Sequence, residues 1–248
     1  IKYDNSDLIS SELSKDVEAR IIWGGDNTVN KFKSFITKPR CIDLAFANRY
    51  SISVIDSNKL GKLNSNDLAI LTKKFYNDTY TMDQFGCSSP NSVFWLGKNN
   101  IAKKKFWFEL SKIVNKKYDL DLSGANEKIS NLMNYTLGKN KRFKANIKNF
   151  NLITLKGKKL SFDNFENINF GTFLEVNLHD INHLRKYTSE KLQTVTYYGT
   201  DFKSIKKFII NNKIKGIDRI VPIGRAFDLT PEWDGVDIIS TLSRTIGV

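Results

Sequence analysis

Ser51-Ile-Ser-Val-Ile55, a segment of helical period from Asp67 to Asp78, and then Ser92-Val-Phe-Trp-Leu96 form the stretch that decides the fold. Two short apolar runs, rich in β-branched and aromatic residues and separated by a helix-length segment, read as a βαβ unit of a largely parallel sheet. The alternation continues in both directions. Candidate strands fall at residues 20–23, 42–46, 152–155, 173–178, 194–198 and 219–223, and candidate helices at 27–36, 101–117, 181–190 and 202–212. In the helix over 101–117, Phe106, Leu110, Ile113 and Val114 share one face, which marks that face as core. Asp26, Asp180 and Asp201, with Ser65 or Asn66, stand where a short oxygen-bearing side chain caps a helix start. The stretch 123–149 departs from this rhythm: it is Lys/Asn-rich and only weakly periodic through Ile129, Leu132, Met133 and Tyr135. It reads as a helical insertion with an exposed loop.

The chain has 248 residues, 40% of them hydrophobic, which is enough for a sizeable core and excludes intrinsic disorder and a disulfide-stapled minidomain. Two cysteines and no apolar run of membrane-spanning length point to a cytoplasmic protein of a reducing compartment, with no membrane span. The 39 Lys and Arg against 26 Asp and Glu leave a net charge of +13. Such a charge suits nucleic acid, a membrane surface or a polyanionic substrate. The lysines are spread along the chain and accompany abundant Asn and Ile, so the excess reads first as compositional bias. Nucleic acid is therefore the weaker partner class.

Candidate chemistry centres on Met82-Asp-Gln-Phe-Gly-Cys-Ser-Ser-Pro90, between a helix and a strand. A cysteine in a Gly-Cys-Ser-Ser-Pro turn lies close to backbone N–H groups that favour a thiolate and can hold a developing oxyanion, which makes Cys87 a candidate nucleophile. The competing reading is a small buried apolar cysteine, and Cys41, inside Cys41-Ile-Asp-Leu44, fits that reading. In Trp23-Gly-Gly-Asp-Asn27 a strand ends in paired glycines and a helix begins, an arrangement that suits a cofactor phosphate or a plain tight turn. No GxGxxG fingerprint is present. His179 and His183 sit four apart, but no HExxH, CxxC or obvious third ligand accompanies them, so no metal site is assigned.

Four segments together resemble the long-chain acyl-CoA reductase (LuxC) family, relatives of the aldehyde dehydrogenase superfamily. They are Arg20-Ile-Ile-Trp-Gly-Gly-Asp26, Ala47-Asn-Arg-Tyr-Ser-Ile-Ser-Val-Ile55, Asp83-Gln-Phe-Gly-Cys-Ser-Ser-Pro90, and Arg219-Ile-Val-Pro-Ile-Gly-Arg225 with Trp233-Asp-Gly235. Leu192-Gln-Thr-Val195 matches a fifth family element. The resemblance covers most of residues 18–248 and corresponds to the C-terminal half of family members about twice as long. It implies an aldehyde-dehydrogenase-like α/β catalytic lobe, a three-layer α/β/α arrangement around a mostly parallel sheet, lacking most of the N-terminal cofactor-binding lobe. The implied divisions are 1–36 as the end of the cofactor lobe, 37–225 as the catalytic domain and 226–248 as a C-terminal segment. The absence of an initial methionine agrees with a fragment of a longer protein, and an isolated chain of this kind is expected to be a poor enzyme.

The resemblance further implies NADPH-linked reduction of a long-chain acyl thioester to a fatty aldehyde, with Cys87 becoming acylated and its backbone N–H supplying an oxyanion donor. Gly24 and Gly25 would serve the cofactor. Phe170 and Gly171, in Asn169-Phe-Gly171, correspond to a Glu-x-Phe-Gly element that holds the nicotinamide ribose, but Ile168 replaces its acid, so Phe170 is carried over only as a ring-packing residue. No Glu occurs between Ala19 and Cys87, so the base that activates water in ordinary aldehyde dehydrogenases is missing and hydrolysis of the acyl-enzyme is expected to be slow. Implied partners are acyl-CoA or an acylated protein, with acyl-protein synthetase and acyltransferase subunits of a fatty acid reductase complex, and a homo-oligomeric assembly. A cysteine-dependent acyltransferase or thioesterase without hydride transfer, and a basic nucleic-acid-binding module, are the alternatives.

Overall fold

The computed structural model describes residues 2–137, 143–157 and 168–247. The chain forms two compact units, residues 1–48 with 230–248, and residues 49–229. These divisions fall after Asn48 and Leu229, where the sequence suggested boundaries after residues 36 and 225.

The first unit opens with α1 (Asp7–Asp16), capped by the Ser6 side chain, which accepts from the Ile9 N–H. There follow β1 (Ala19–Trp23), α2 (Asp26–Lys33) and β2 (Ile42–Phe46). The two strands pair in parallel, from Ala19 opposite Ile42 to Trp23 opposite Phe46. Helix α1 was not anticipated because its buried positions are Ser10 and Ser14 while Leu8, Ile9 and Leu13 are exposed, the reverse of the pattern that reveals a helix by hydrophobic period. Ser14 donates to the Ser10 carbonyl and accepts from Arg20, which also pairs with Asp43 at 2.5 Å, so a polar network takes the place of an apolar stripe.

The second unit is a seven-stranded sheet with helices on both faces. In chain order it comprises β3 (Tyr50–Asp56), α3 (Ser57–Leu60), α4 (Ser65–Tyr80), β4 (Pro90–Leu96), α5 (Asn100–Lys117), α6 (Leu122–Leu137), β5 (Phe143–Asn149), β6 (Leu152–Gly157) and β7 (Thr172–Asn177). A 3₁₀ helix (Ile181–Tyr187), β8 (Leu192–Tyr198), α7 (Phe202–Asn211) and β9 (Arg219–Pro222) complete it. The strand order is β5-β6-β7-β4-β3-β8-β9, parallel throughout except for the β5–β6 pair. One face packs α3, α4 and α5 through Leu60, Leu71, Phe75, Phe106 and Leu110 onto Ile55, Val93, Trp95 and Phe173. The other packs α6, the 3₁₀ helix and α7 through Tyr135, Leu184, Ile205 and Phe208 onto Ile52, Val54, Phe94 and Leu174. This is the expected three-layer arrangement, and it explains why the central strands read as continuous apolar runs: both faces are covered. Ile52, Val54 and Ile55 have no exposed area, each burial contributing about 1.5–3 kcal/mol.

Within 123–149 the structure differs from the sequence reading. Helix α6 ends at Leu137, residues 138–142 lie outside the described residues, and from Phe143 the chain is an antiparallel edge strand. Its Lys144, Asn146 and Lys148 are the polar residues with which edge strands are protected, and they hid the strand from a search for apolar runs. The segment 181–190 is a 3₁₀ helix that stops at Tyr187, capped by the Asp180 carboxylate on the Asn182 and His183 amides.

The tail of the first unit holds a small hairpin, β10 (Glu232–Trp233) with β11 (Val236–Asp237), and then α8 (Ile238–Leu242). Asp234 and Gly235 at its tip both have positive φ, as a tight hairpin turn requires.

Candidate active site

Cys87 lies in the turn between α4 and β4, at the N-terminal edge of the parallel sheet. The chain leaves α4 through Asp83 and Gln84, both left-handed at φ 49° and 64°, and closes two short turns with Gln84 N–H to Thr79 C=O (2.9 Å) and Ser89 N–H to Gly86 C=O (2.8 Å). Gly86 is fixed by packing, since a Cβ there would come within 2.8 Å of the Phe227 ring. Ser89, almost fully buried, donates to the Asp78 carbonyl at 2.7 Å and ties the turn back to α4.

Both the carbonyl and the sulfur of Cys87 are held from neighbouring strands. The register of β3 slips at Ser51 against β4 and against β8, and the Ser51 hydroxyl takes over the interrupted ladder: it donates to the Cys87 carbonyl at 2.6 Å and accepts from the Thr194 N–H at 3.1 Å. From β8, Gln193 donates its side-chain amide N–H to Cys87 Sγ at 3.3 Å. Arg219, the first residue of β9, lies within electrostatic reach of the sulfur, and burial holds its pKa below the ordinary arginine value. Its guanidinium donates to the carbonyls of Arg225, Ala226 and Asp228. The same loop is gripped by Asp78, whose carboxylate accepts from the Gly224 and Ala226 amides and is pushed up to about 6 by burial.

The turn carrying Phe170 and Gly171 is bonded directly to the Cys87 turn. Asn169, Phe170 and Gly171 are all left-handed, at φ 55°, 51° and 74°. Gln84, 1% exposed, spans the two turns: its Oε1 accepts from Gly171 N–H at 2.7 Å and its Nε2 donates to the carbonyls of Pro90 and Thr172, each at 3.3 Å. Phe170 N–H donates to the Asp83 carbonyl at 3.1 Å, and the Phe170 ring, 4% exposed, packs edge-on against Phe85. Gly171 admits no side chain, because a Cβ would collide with the Asn151 carbonyl and the Tyr80 ring. Lys128, with no exposed surface, donates to the carbonyls of Phe150 and Phe170 at 2.5 and 2.6 Å, and burial lowers its pKa to about 7. Ile168 is buried, so the position of the expected acid is apolar core.

Gly24 and Gly25 belong to the first unit. Gly24 N–H donates to Phe46 C=O at 3.2 Å, and Gly25 is the N-cap of α2, where it supplies no side-chain cap. A Cβ on Gly25 would make only ordinary contact with Asn48 at 3.6 Å, whereas one on Gly24 would press on Thr28 at 3.0 Å. A helix start behind two glycines, with no side-chain cap from Gly25, suits a phosphate, although Asp26 puts an acidic side chain in the same turn. The donor set is therefore compatible with the phosphate end of a dinucleotide.

Cys41 differs from its reading as a buried strand residue: it precedes β2 and is half-buried, as Cys87 is, and both are free thiols. Exposure alone does not separate them; the polar grip on Cys87 does. His183 Nδ1 accepts weakly from the His179 N–H at 3.5 Å, and the His183 ring packs edge-on against Tyr187. Among the described residues no group of three or more His, Cys, Asp or Glu is placed to hold a metal. Among the described residues no helix is long and apolar enough to cross a membrane. Sequence reasoning missed Ser51, Gln84, Gln193 and Arg219, all of which stand inside segments that carried the family resemblance without a role.

Solved structures with this fold are aldehyde dehydrogenases and their relatives. An NAD-dependent aldehyde dehydrogenase from Sinorhizobium meliloti superposes with a TM-score of 0.61 at 11% identity, covering 92% of this chain and 47% of that one. Lactaldehyde dehydrogenase from Escherichia coli gives 0.59 at 10% identity, covering 91% and 50%. An NADP-dependent enzyme of E. coli gives 0.57 at 12% identity, covering 90% and 48%. The chain thus spans about half the length of these structures, and at such identities the likeness establishes the fold alone. A search of the curated proteins returns no match. The family model described as acyl-CoA reductase (LuxC) matches residues 3–245, nearly the whole chain, and the protein therefore belongs to the LuxC acyl-CoA reductase family, with an aldehyde-dehydrogenase-like α/β fold.

Proposed function

We propose that this chain carries the thiol side of an acyl-thioester reductase, in which Cys87 accepts a long-chain acyl group that is then reduced to a fatty aldehyde. The observation that carries the reading is the grip on Cys87, a half-buried thiol at a chain bend with its carbonyl fixed by Ser51 and its sulfur hydrogen-bonded by Gln193, in a member of this family. The Cys87 thiolate attacks the thioester carbonyl, the C–S bond to the donor breaks, and the donor leaves as a thiolate that takes a proton from solvent while the acyl group stays on Sγ. A nicotinamide cofactor, NADPH on this reading, supplies a hydride to the acyl carbon when bound. The resulting hemithioacetal collapses by breaking its own C–S bond, which frees the aldehyde and regenerates the Cys87 thiolate.

Gly24 and Gly25, at the start of α2, would hold a cofactor phosphate. Phe170 and Gly171 contribute by backing the Cys87 turn through Gln84 and Phe85. The acyl donor is acyl-CoA or an acylated partner protein, and the net charge of +13 suits the phosphates of such donors and of the cofactor. On the same reading the assembled protein is a homo-oligomer working beside acyl-protein synthetase and acyltransferase subunits in the cytoplasm.

The test is incubation of the protein with a long-chain acyl-CoA in the absence of any reductant, followed by intact-mass and peptide analysis. The expected result is an acyl group that accumulates on Cys87 and is lost in Cys87→Ala but kept in Cys41→Ala. Continuous release of free fatty acid with no acylated protein would favour the thioesterase alternative and overturn the reductase reading.

A further inference from the structure

Gln193 is a buried amide, 2% exposed, at the N-terminal end of β8, between β3 and β9 in the sheet. Its orientation is set from both ends: Oε1 accepts from the Thr194 hydroxyl at 3.2 Å, which leaves Nε2 directed at Cys87 Sγ, 3.3 Å away. The main chain is equally fixed, with Gln193 C=O accepting from the Asp218 N–H at 2.9 Å and the adjacent Thr194 N–H bound to Ser51. Ser51 in turn holds the Cys87 carbonyl at 2.6 Å, so the amide and the turn that carries the sulfur share one support.

We propose that Gln193 is a positioning residue for the nucleophile: its amide N–H holds the Cys87 sulfur as a hydrogen-bond acceptor and so favours the anionic, attacking form. A sulfur anion accepts a hydrogen bond far more strongly than a neutral thiol does, so a fixed donor stabilises the form that reacts. The Arg219 guanidinium acts in the same sense from β9, as a positive charge within reach of the sulfur whose position is locked by the carbonyls of residues 225, 226 and 228. Gln193 does this without a formal charge of its own, so nothing has to be neutralised when the sulfur becomes acylated. The inference deepens the reading of Cys87 as the acyl acceptor and rests on it.

The test is the pH dependence of iodoacetamide alkylation of the whole chain, with Cys87 and Cys41 resolved as separate peptides by mass spectrometry. In Gln193→Leu, which keeps the volume and removes the donor, the midpoint for Cys87 should rise by about one pH unit, with roughly a tenfold slower reaction at neutral pH. In Gln193→Glu, which keeps the shape and places a carboxylate beside the sulfur, the midpoint should rise further. Cys41 should be unchanged in both. A midpoint for Cys87 that stays at its wild-type value in either folded variant, or that rises equally in both, overturns the positioning role. The acyl-CoA labelling of the unaltered protein is read separately: if it fails while the midpoints move as expected, the fault lies with the acyl-acceptor reading and not with the contact between Gln193 and the sulfur.

Discussion

Replacing Gln84 by alanine should loosen the joint between the Cys87 turn and the Phe170–Gly171 turn. The side chain makes three hydrogen bonds, to Gly171 N–H at 2.7 Å and to the carbonyls of Pro90 and Thr172 at 3.3 Å, in a position only 1% exposed. Each such bond contributes about 1 kcal/mol net, and the alanine variant also leaves a buried amide and two carbonyls to find new partners, so a loss of about 3 kcal/mol is expected. In a unit of this size that corresponds to a fall in melting temperature of roughly 6–12 °C. Gln84 sits at φ 64°, a conformation that glycine adopts freely. Gln84→Gly should therefore be about 1 kcal/mol less damaging than Gln84→Ala, even though it removes more atoms. Thermal unfolding of the three proteins, followed by far-ultraviolet circular dichroism, supplies both differences. A Gln84→Ala variant that melts within about 2 °C of the parent would refute the reasoning, because the bonds would then carry no net stability.

Gly171→Ala should cost about 2–5 kcal/mol, since it combines φ +74° with a Cβ driven into the Asn151 carbonyl and the Tyr80 ring, while Gly25→Ala, at φ −67° with only ordinary contact to Asn48, should stay within about 1 kcal/mol; equal melting temperatures for the two variants would sink this account of the glycines. Lys128 supplies a pH test. Its folded pKa of about 7 lies below the ordinary lysine value of 10.5, so between these values the unfolded chain binds the extra proton and stability must rise with pH. The stability difference between the parent and Lys128→Met should accordingly grow by roughly 2–3 kcal/mol from pH 7.5 to 9.5 in urea titrations, and a flat difference would show that the amine keeps its proton in the folded state.

The sequence by itself determined most of the strands. Each expected strand forms within two residues of its place; runs such as Ser51–Ile55 and Ser92–Leu96 are covered on both faces of a parallel sheet and are therefore largely apolar, their few serines being buried as well. It also determined where Cys87 would stand, since a Gly-Cys-Ser-Ser-Pro stretch between a helix and a strand can only be a turn. It did not reveal α1, whose buried positions are serines, or β5, whose exposed edge is written in lysine and asparagine; neither carries the apolar period by which a segment is recognised. The environment of Cys87 was likewise decided by tertiary structure. Ser51, Gln193 and Arg219 stand 36, 106 and 132 residues from the cysteine in the sequence, and only the side-by-side order β4-β3-β8-β9 brings the starts of their strands to one edge of the sheet. Local patterns follow from which faces a segment must bury; which side chain meets a sulfur follows from strand order and register, and those are properties of the assembled sheet.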